Sequence, residues 1–423
     1  MKKQVLLSLV VLFALVLVSC APAAAPAEEA PVAEAPAEEA PAEAAAVDPV
    51  QALCDADEYG CAKIEPGQTI KIGMGSPMTG GDASFGIDAE QAGKIAVADA
   101  EPFEGFQFEL VAEDDAGTAE GGAAVANKFA ADPTLVAVAG HLFSGATFAA
   151  MPIYEEVGIP MLSPSATNPD LVKQGSKVIN RIPFTDAKQG AAAADFIYNE
   201  LGFRKIAVLH DGEDYGKGLA TIMKSSFEEL GGEVVEFQGI TSKEADYTPI
   251  LTTIAAKSPE LLYFGGYTQD AGVLVNQMKT TGLENVVFFG CDGTFGTDFL
   301  NRAGVNAEGT YHATPRTPPA TPEKDKFDAD YLAAYGVGPG ELSPFTWNSY
   351  DCTTALIKKV GEVAVLGDDD ALYVPRGALV AAVRGLSNYV GISGTYTCDD
   401  VGDCNIEGPQ FHKVVDGKFV AVN

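Results

Sequence analysis

From Thr69 onward the chain repeats one pattern. A short apolar run is followed by a turn rich in glycine and polar residues, then by a stretch of helical period. Ile70-Lys71-Ile72-Gly73-Met74 reads as a strand and residues 88–99 as an alanine-rich helix. Residues 106–112 read as a second strand and residues 122–131 as a second helix. Leu135-Val136-Ala137-Val138-Ala139 is almost continuously apolar, as a strand covered on both faces must be. Residues 205–209, 261–264 and 286–289 repeat the theme, with helical segments between them. Such alternation predicts an α/β fold, with parallel sheets flanked by helices. The part of the chain able to fold, about 355 residues from Gln68 to the end, is long for one core and predicts two lobes.

Gly, Ser, Thr, Asp and Tyr collect just after the predicted strands. Met74 leads into Gly75-Ser76-Pro77-Met78-Thr79-Gly80-Gly81, and Ala139 into Gly140-His141-Leu142-Phe143-Ser144-Gly145. Leu209 leads into His210-Asp211-Gly212-Glu213-Asp214-Tyr215, Phe264 into Gly265-Gly266-Tyr267, and Phe289 into Gly290-Cys291-Asp292-Gly293. Open α/β sheets bind ligands at the carboxyl ends of their strands, so five such loops in succession predict a small-molecule site there.

Ahead of this body stands a short cationic start, Met1-Lys2-Lys3, then an apolar run from Val5 to Val18 and Leu17-Val18-Ser19-Cys20. The run is short for a membrane-spanning helix and is followed at once by Pro and Glu. It resembles the leader and lipobox of bacterial lipoproteins, which implies that residues 1–19 are a signal peptide and that Cys20 is acylated. Residues 20–48, mostly Ala, Pro, Glu and Val, cannot bury a core and read as a disordered tether. The expected location is extracytoplasmic, anchored to the cell membrane by lipid at its periplasmic or external face.

Against 27 basic residues the chain carries 59 acidic ones, a formal net charge of −32. Such a body repels nucleic acid, and no basic stripe interrupts it. In an oxidising compartment the six cysteines beyond Cys20 are expected to pair. Cys54 with Cys61 and Cys398 with Cys404 close short loops, each worth about 2 kcal/mol in the loop-entropy model. By elimination Cys291 is left to join Cys352. Residues 49–68 are then a disulfide-stapled lead-in.

Catalytic signatures are absent. Gly73-Met74-Gly75 begins like a dinucleotide loop but lacks the third glycine, and Pro77 intrudes. There is no phosphate-binding Gly-Lys-Ser/Thr loop and no Gly-x-Ser-x-Gly elbow. His141, His210, His312 and His412 lack metal-ligand spacing. A Ser144–His210 nucleophilic pair has no evident third member. Binding without reaction is the expectation, with no cofactor and no metal.

Gly140-His141-Leu142, Ser163-Pro164-Ser165-Ala166-Thr167-Asn168-Pro169, His210-Asp211 before Tyr215-Gly216-Lys217-Gly218, Tyr263-Phe264-Gly265-Gly266-Tyr267 and Phe345-Thr346-Trp347-Asn348-Ser349-Tyr350 occur in this order. With these signposts the body, from Ile70 to about Gly394, resembles the branched-chain amino-acid-binding proteins of ATP-driven uptake systems, of the type I periplasmic binding protein fold. The resemblance implies two Rossmann-like lobes joined by a three-strand hinge. Lobe one takes residues 69–187 and 317–390, and lobe two residues 188–316 and 391–423. It also implies a monomer that binds an amino acid by hinge closure and hands it to permease subunits in the membrane.

Carried over by position, the resemblance puts Ser144 and Thr167 on the ligand carboxylate. Helix starts present unpaired donors and a positive dipole end to an anion. The Ser165 carbonyl, the Thr167 hydroxyl and the Asp292 carboxylate would hold the ammonium, because a desolvated cation needs a paired anion. Tyr215, Tyr267 and Phe345 would wall the side-chain pocket. Phe85 stands where relatives often have Tyr, which makes the wall drier, and Asp292 replaces a common Glu, so the acid reaches less far. Asp186, near the first crossing, is a lesser candidate. Alternatives are a protein of the same fold for an amide or carboxylic acid, a sensing module, and a lipid-anchored extracellular hydrolase using His210 or His141.

Overall fold

The computed structural model describes residues 48–405 and 407–422. The leader, Cys20 and the tether through residue 47 lie outside them. Among the described residues no helix is long and apolar enough to cross a membrane.

The repeated strand-and-helix pattern builds two principal sheets. In the first, five parallel strands lie in the order Phe108–Asp114, Ile70–Ser76, Leu135–Val138, Met161–Ser163, Ile179–Arg181. Leu135–Val138 is buried along its whole length, as its unbroken apolar run requires. Ile70, Ile72 and Met74 pack with Val136, Ala137 and Leu356 on one face, while Leu135 and Val138 pack with Phe129, Tyr154 and Met161 on the other. Helices Ala83–Ala98, Ala119–Ala130 and Ser144–Val157 supply much of that cover.

The second sheet has seven strands, ordered Lys418–Val422, Gln410–Val415, Tyr311–Thr314, Val287–Phe289, Leu261–Gly265, Lys205–His210, Glu233–Gly239. The last five are parallel, and the C-terminal hairpin joins Tyr311–Thr314 antiparallel. Its two faces are filled from helices Asp186–Asp195, Asp214–Glu229, Thr248–Ala255, Thr268–Met278 and Thr297–Ala303.

The chain passes between the two layers three times: between Arg181 and Asp186, between Thr314 and Pro322, and between Cys404 and Gln410. The expected boundary at residue 390 is corrected by this arrangement. Ile392 packs with Ala92, Ile95 and Tyr331, and Tyr396 and Cys404 sit in the core of the first layer, so the third passage follows Cys404.

Both local disulfides, Cys54–Cys61 and Cys398–Cys404, are formed. The expected Cys291–Cys352 bridge is not. Cys291 lies in the core of the second layer with Tyr263 and Phe289, and Cys352 lies in that of the first with Leu356, so each is a free, buried thiol. The lead-in is more ordered than its polar sequence suggests. Helix Pro49–Ala56 is capped by Asp48, strand Cys61–Ile64 pairs with Leu372–Pro375, and Asp57 accepts from the N–H groups of Gly377 and Ala378.

Candidate functional site

The strands of both sheets end toward one another, and the loops that follow them build one cavity. It is lined by Phe85, Leu142, Phe143, Ser144, Ser165, Tyr215, Tyr267, Asp292, Gly293 and Phe345. Seven of the eight residues expected to bind ligand are therefore together. Thr167 is the exception. Its hydroxyl is buried without a hydrogen bond, and its carbonyl accepts from Asp186 N at 2.9 Å. The cavity leaves about 10 Å³, room for one water.

Ser144 begins helix Ser144–Val157 and is buried, so the unpaired N–H groups of its first turn face the cavity end rather than bulk water. Its hydroxyl accepts from Asn168 N at 3.3 Å. Asn168 caps the short helix Pro169–Gln174 through Asp170 N and reaches across to the carbonyl of Asp214 at 2.8 Å. Ser165 is fixed by its hydroxyl, which donates to Leu142 O at 2.6 Å.

A buried pair braces the 140–144 loop from behind. His141 Nδ1 lies 2.7 Å from Asp115 Oδ2 and Nε2 lies 3.0 Å from Tyr154 OH, while Ser163 Oγ donates to the His141 carbonyl at 2.6 Å. Gly75 permits this packing, because a Cβ there would lie 2.2 Å from the imidazole.

Asp292 sits at the other end of the cavity, on a single turn after strand Val287–Phe289. Its Oδ1 accepts from Tyr215 OH, from Gln189 Nε2 at 3.1 Å and from Gly293 N at 2.9 Å. Oδ2 has no hydrogen bond among the described residues, so half of the carboxylate is available to the cavity. Burial pushes the Asp292 carboxyl up to about 6, against the pull of the Tyr215 and Gln189 hydrogen bonds. Asp186, joined to Gln189 Nε2 at 3.3 Å, is pushed well above the carboxylate range by burial and then by the charge of Asp292. Two buried carboxyls sharing one amide favour a single negative charge between them. Gly293 has to be glycine, since a Cβ would lie 2.5 Å from the Gly266 carbonyl and 3.0 Å from the Tyr215 ring.

Aromatic rings make the walls. Phe143 and Tyr267 stack with centroids 3.9 Å apart, Phe85 meets Phe143 edge-on at 5.7 Å, and Tyr215 lies 5.2 Å from Tyr267. The sequence reading missed Phe143, Leu142, Gly293 and Gln189. The first three lie beside residues it did select, in the loops after strands, which is the signal that was there to use.

The Ser144–His210 pair of the alternative hydrolytic reading is not assembled, and His141, held by Asp115 and Tyr154, is buried and does not line the cavity. His210 accepts from Gly212 N at 3.1 Å and packs beside Phe237, and no hydrogen bond joins it to Ser144. No cluster of His, Cys, Asp and Glu suited to a metal ion occurs among the described residues.

A family model described as periplasmic binding protein matches residues 69–403. The leucine-, isoleucine-, valine-, threonine- and alanine-binding protein of Pseudomonas aeruginosa is 34% identical over 301 residues, covering 70% of this chain and 79% of that protein. The solved leucine-binding protein of Thermotoga maritima superposes with a TM-score of 0.76 at 28% identity, over 84% of this chain and 98% of the other. The branched-chain amino acid transporter substrate-binding protein of Streptococcus pneumoniae, solved with isoleucine, gives 0.74 at 25%, over 84% and 99%. Two α/β layers joined by three passages, a cavity built from the loops between them and a match across nearly the whole folded body lead to one conclusion: the chain belongs to the periplasmic binding protein family, in its type I form.

Proposed function

We propose that this protein is the extracytoplasmic, lipid-anchored receptor of an ATP-driven importer, binding a zwitterionic apolar α-amino acid between its lobes and delivering it to the permease. The observation that carries this reading is the polarity of one cavity. Unpaired N–H donors at the Ser144 helix start lie at one end, the free oxygen of Asp292 at the other, and Phe85, Phe143, Tyr215, Tyr267 and Phe345 lie around them. A carboxylate suits the first end and an ammonium the second. Relatives named for leucine, isoleucine and valine binding support a branched-chain cargo.

An interior of about 10 Å³ cannot take an amino acid with the layers as close as they are. Entry therefore needs them to part, and the three passages are the segments about which they turn. Binding is the whole activity of this site, without a chemical step, and one copy of the chain suffices for it. Cys20 supplies the anchor, so that the body works tethered beside its permease.

Calorimetry with leucine, isoleucine, valine and their 2-keto acids tests the reading. Amino acids should bind and keto acids should not. Tight binding of the keto acids alone would move the cargo to a carboxylic acid and remove the ammonium role of Asp292.

A further inference from the structure

Asp82 occupies the cap position of helix Ala83–Ala98 in the first layer, yet its side chain makes no cap bond to that helix. It reaches into the second layer instead. Its Oδ1 accepts from Thr268 Oγ1 at 2.7 Å and from Gln269 N at 3.0 Å, at the start of helix Thr268–Met278. That helix has no side-chain cap of its own, because its cap position is held by Tyr267. The exchange is reciprocal. Asp298, in the first turn of Thr297–Ala303, accepts from Ser84 N at 3.3 Å, at the start of helix Ala83–Ala98. Each layer thus lends a carboxylate to the opposite layer's helix start, where unpaired donors and the helix dipole favour an anion.

Geometry gives this exchange a role. Asp82 is 7% exposed and Thr268 fully buried, so the bond between them is largely covered, while Asp82 and Gln269 border a neighbouring cavity of about 290 Å³. Tyr267 directly precedes the two residues that Asp82 holds, and its ring stacks on Phe143 of the opposite layer in the cavity wall. We propose that Asp82 is a positioning residue for ligand capture: a latch that, once the layers meet, fixes the first turn of helix Thr268–Met278 and with it the Tyr267 wall. The proposal rests on the binding reading above and concerns how the closed form is held, since Asp82 is not among the residues lining the cavity.

A charge-assisted contact of this kind corresponds to about 10- to 100-fold in affinity. Asp82→Ala should weaken leucine binding by about that factor, chiefly through faster release. Asp82→Asn, which keeps an acceptor, should recover most of the loss. Thr268→Val should weaken binding too, and the double variant should be little worse than Asp82→Ala, because the two share one contact. A fold defect would not produce this pattern. Spin labels at Asn127→Cys and Glu244→Cys on the full chain carrying Cys20→Ser, one on each layer, read closure directly, with Cys291 and Cys352 buried and out of reach. Asp82→Ala should lose short-distance population relative to the wild type with leucine present.

Additive losses in the double variant, or equal distance distributions for wild type and Asp82→Ala, would overturn the latch. If leucine gives no heat with the wild type, the amino-acid reading falls and the latch is judged on the ligand-free distributions alone. Fewer short distances in Asp82→Ala then uphold it. Equal distributions, or a wild type showing only long distances, reject it.

Discussion

Arg181 donates through Nε to Asp403, a residue that lies more than two hundred positions away, in the last part of the first layer before the third passage. The guanidinium is wholly buried, and its Nη1 donates to the carbonyls of Ala166 and Asn168 in the loop that carries Ser165 and Thr167. The backbone repeats the link, with Arg181 N on Gly402 O at 2.9 Å and Cys404 N on Arg181 O at 3.0 Å. The disulfide-closed loop at 398–404 is therefore fastened to the floor of the cavity.

Removing one partner of a buried ion pair leaves the other uncompensated, at a cost of about 3–5 kcal/mol. Asp403 is partly exposed, so Asp403→Ala should fall at the low end, about 3 kcal/mol, read as a lowered thermal midpoint. Ligand binding should weaken as well, because the 165–168 loop loses its brace. Arg181→Met combined with Asp403→Ala should recover part of the stability; a double variant no more stable than Asp403→Ala would argue against the pair.

Asp292 must be ionised to hold an ammonium, and burial sets its carboxyl at about 6. Bound ligand lowers that value, so affinity is full above about pH 6 and falls toward tenfold per pH unit below it. Calorimetry from pH 7.5 to 4.5 should show proton release growing as affinity falls. Asp292→Asn should weaken binding at pH 7.5 by at least about 100-fold and flatten the acid limb. An unchanged acid limb in the variant would assign the titration elsewhere.

His312 and His412 face each other across neighbouring strands. Burial holds His312 near 3, with help from the charge of His412, and His412 near 4. Both are folded as neutral imidazoles, so their contribution is complete above the unfolded value near 6.5 and is lost as pH falls toward the folded values. For His312 the loss reaches about 3 kcal/mol by pH 4.5. Asp88 and Asp351, raised to about 6 by burial, act in the opposite sense over the same range. The difference between wild type and His312→Gln isolates the imidazole. The variant should be less stable at pH 7.5, and its deficit should shrink as pH falls.

Cys20→Ser tests the anchor. The variant should accumulate as precursor or leave the membrane fraction, while the wild-type N-terminal peptide carries lipid by mass spectrometry. An unmodified wild-type peptide in a wholly soluble protein would remove the anchor from the proposal.

Where an apolar run was long, the strand was legible. Leu135–Val138, Lys205–His210 and Leu261–Gly265 could be read because burial on both faces leaves at least four consecutive apolar residues in each. Met161–Ser163 and Ile179–Arg181 could not, being three residues each, the second ending in a charge. Arg181 looks like a surface residue until Asp403 is placed beside it, and no local pattern predicts that meeting. The bond from Asp82 to Thr268 was hidden in the same way, since the two lie 186 positions apart and the predicted helix began only at residue 88. Cys291 and Cys352 show the opposite error, in which counting alone implied a pairing that burial in different cores prevents.

The three passages also dictate an order of assembly. The first layer draws on residues from Cys61 to Cys404, and the second is completed only by the hairpin at Gln410–Val415 and Lys418–Val422. A chain emerging from its N-terminus can form the strands from Ile70 to Arg181 early, but cannot seat Leu372–Pro375, Tyr396 or the partner of Arg181 until nearly all of it has been made. Neither lobe is one contiguous stretch that can be cut out and expected to fold. Vectorial synthesis therefore leaves both cores unfinished until the same late moment, when they close within a few dozen residues of each other.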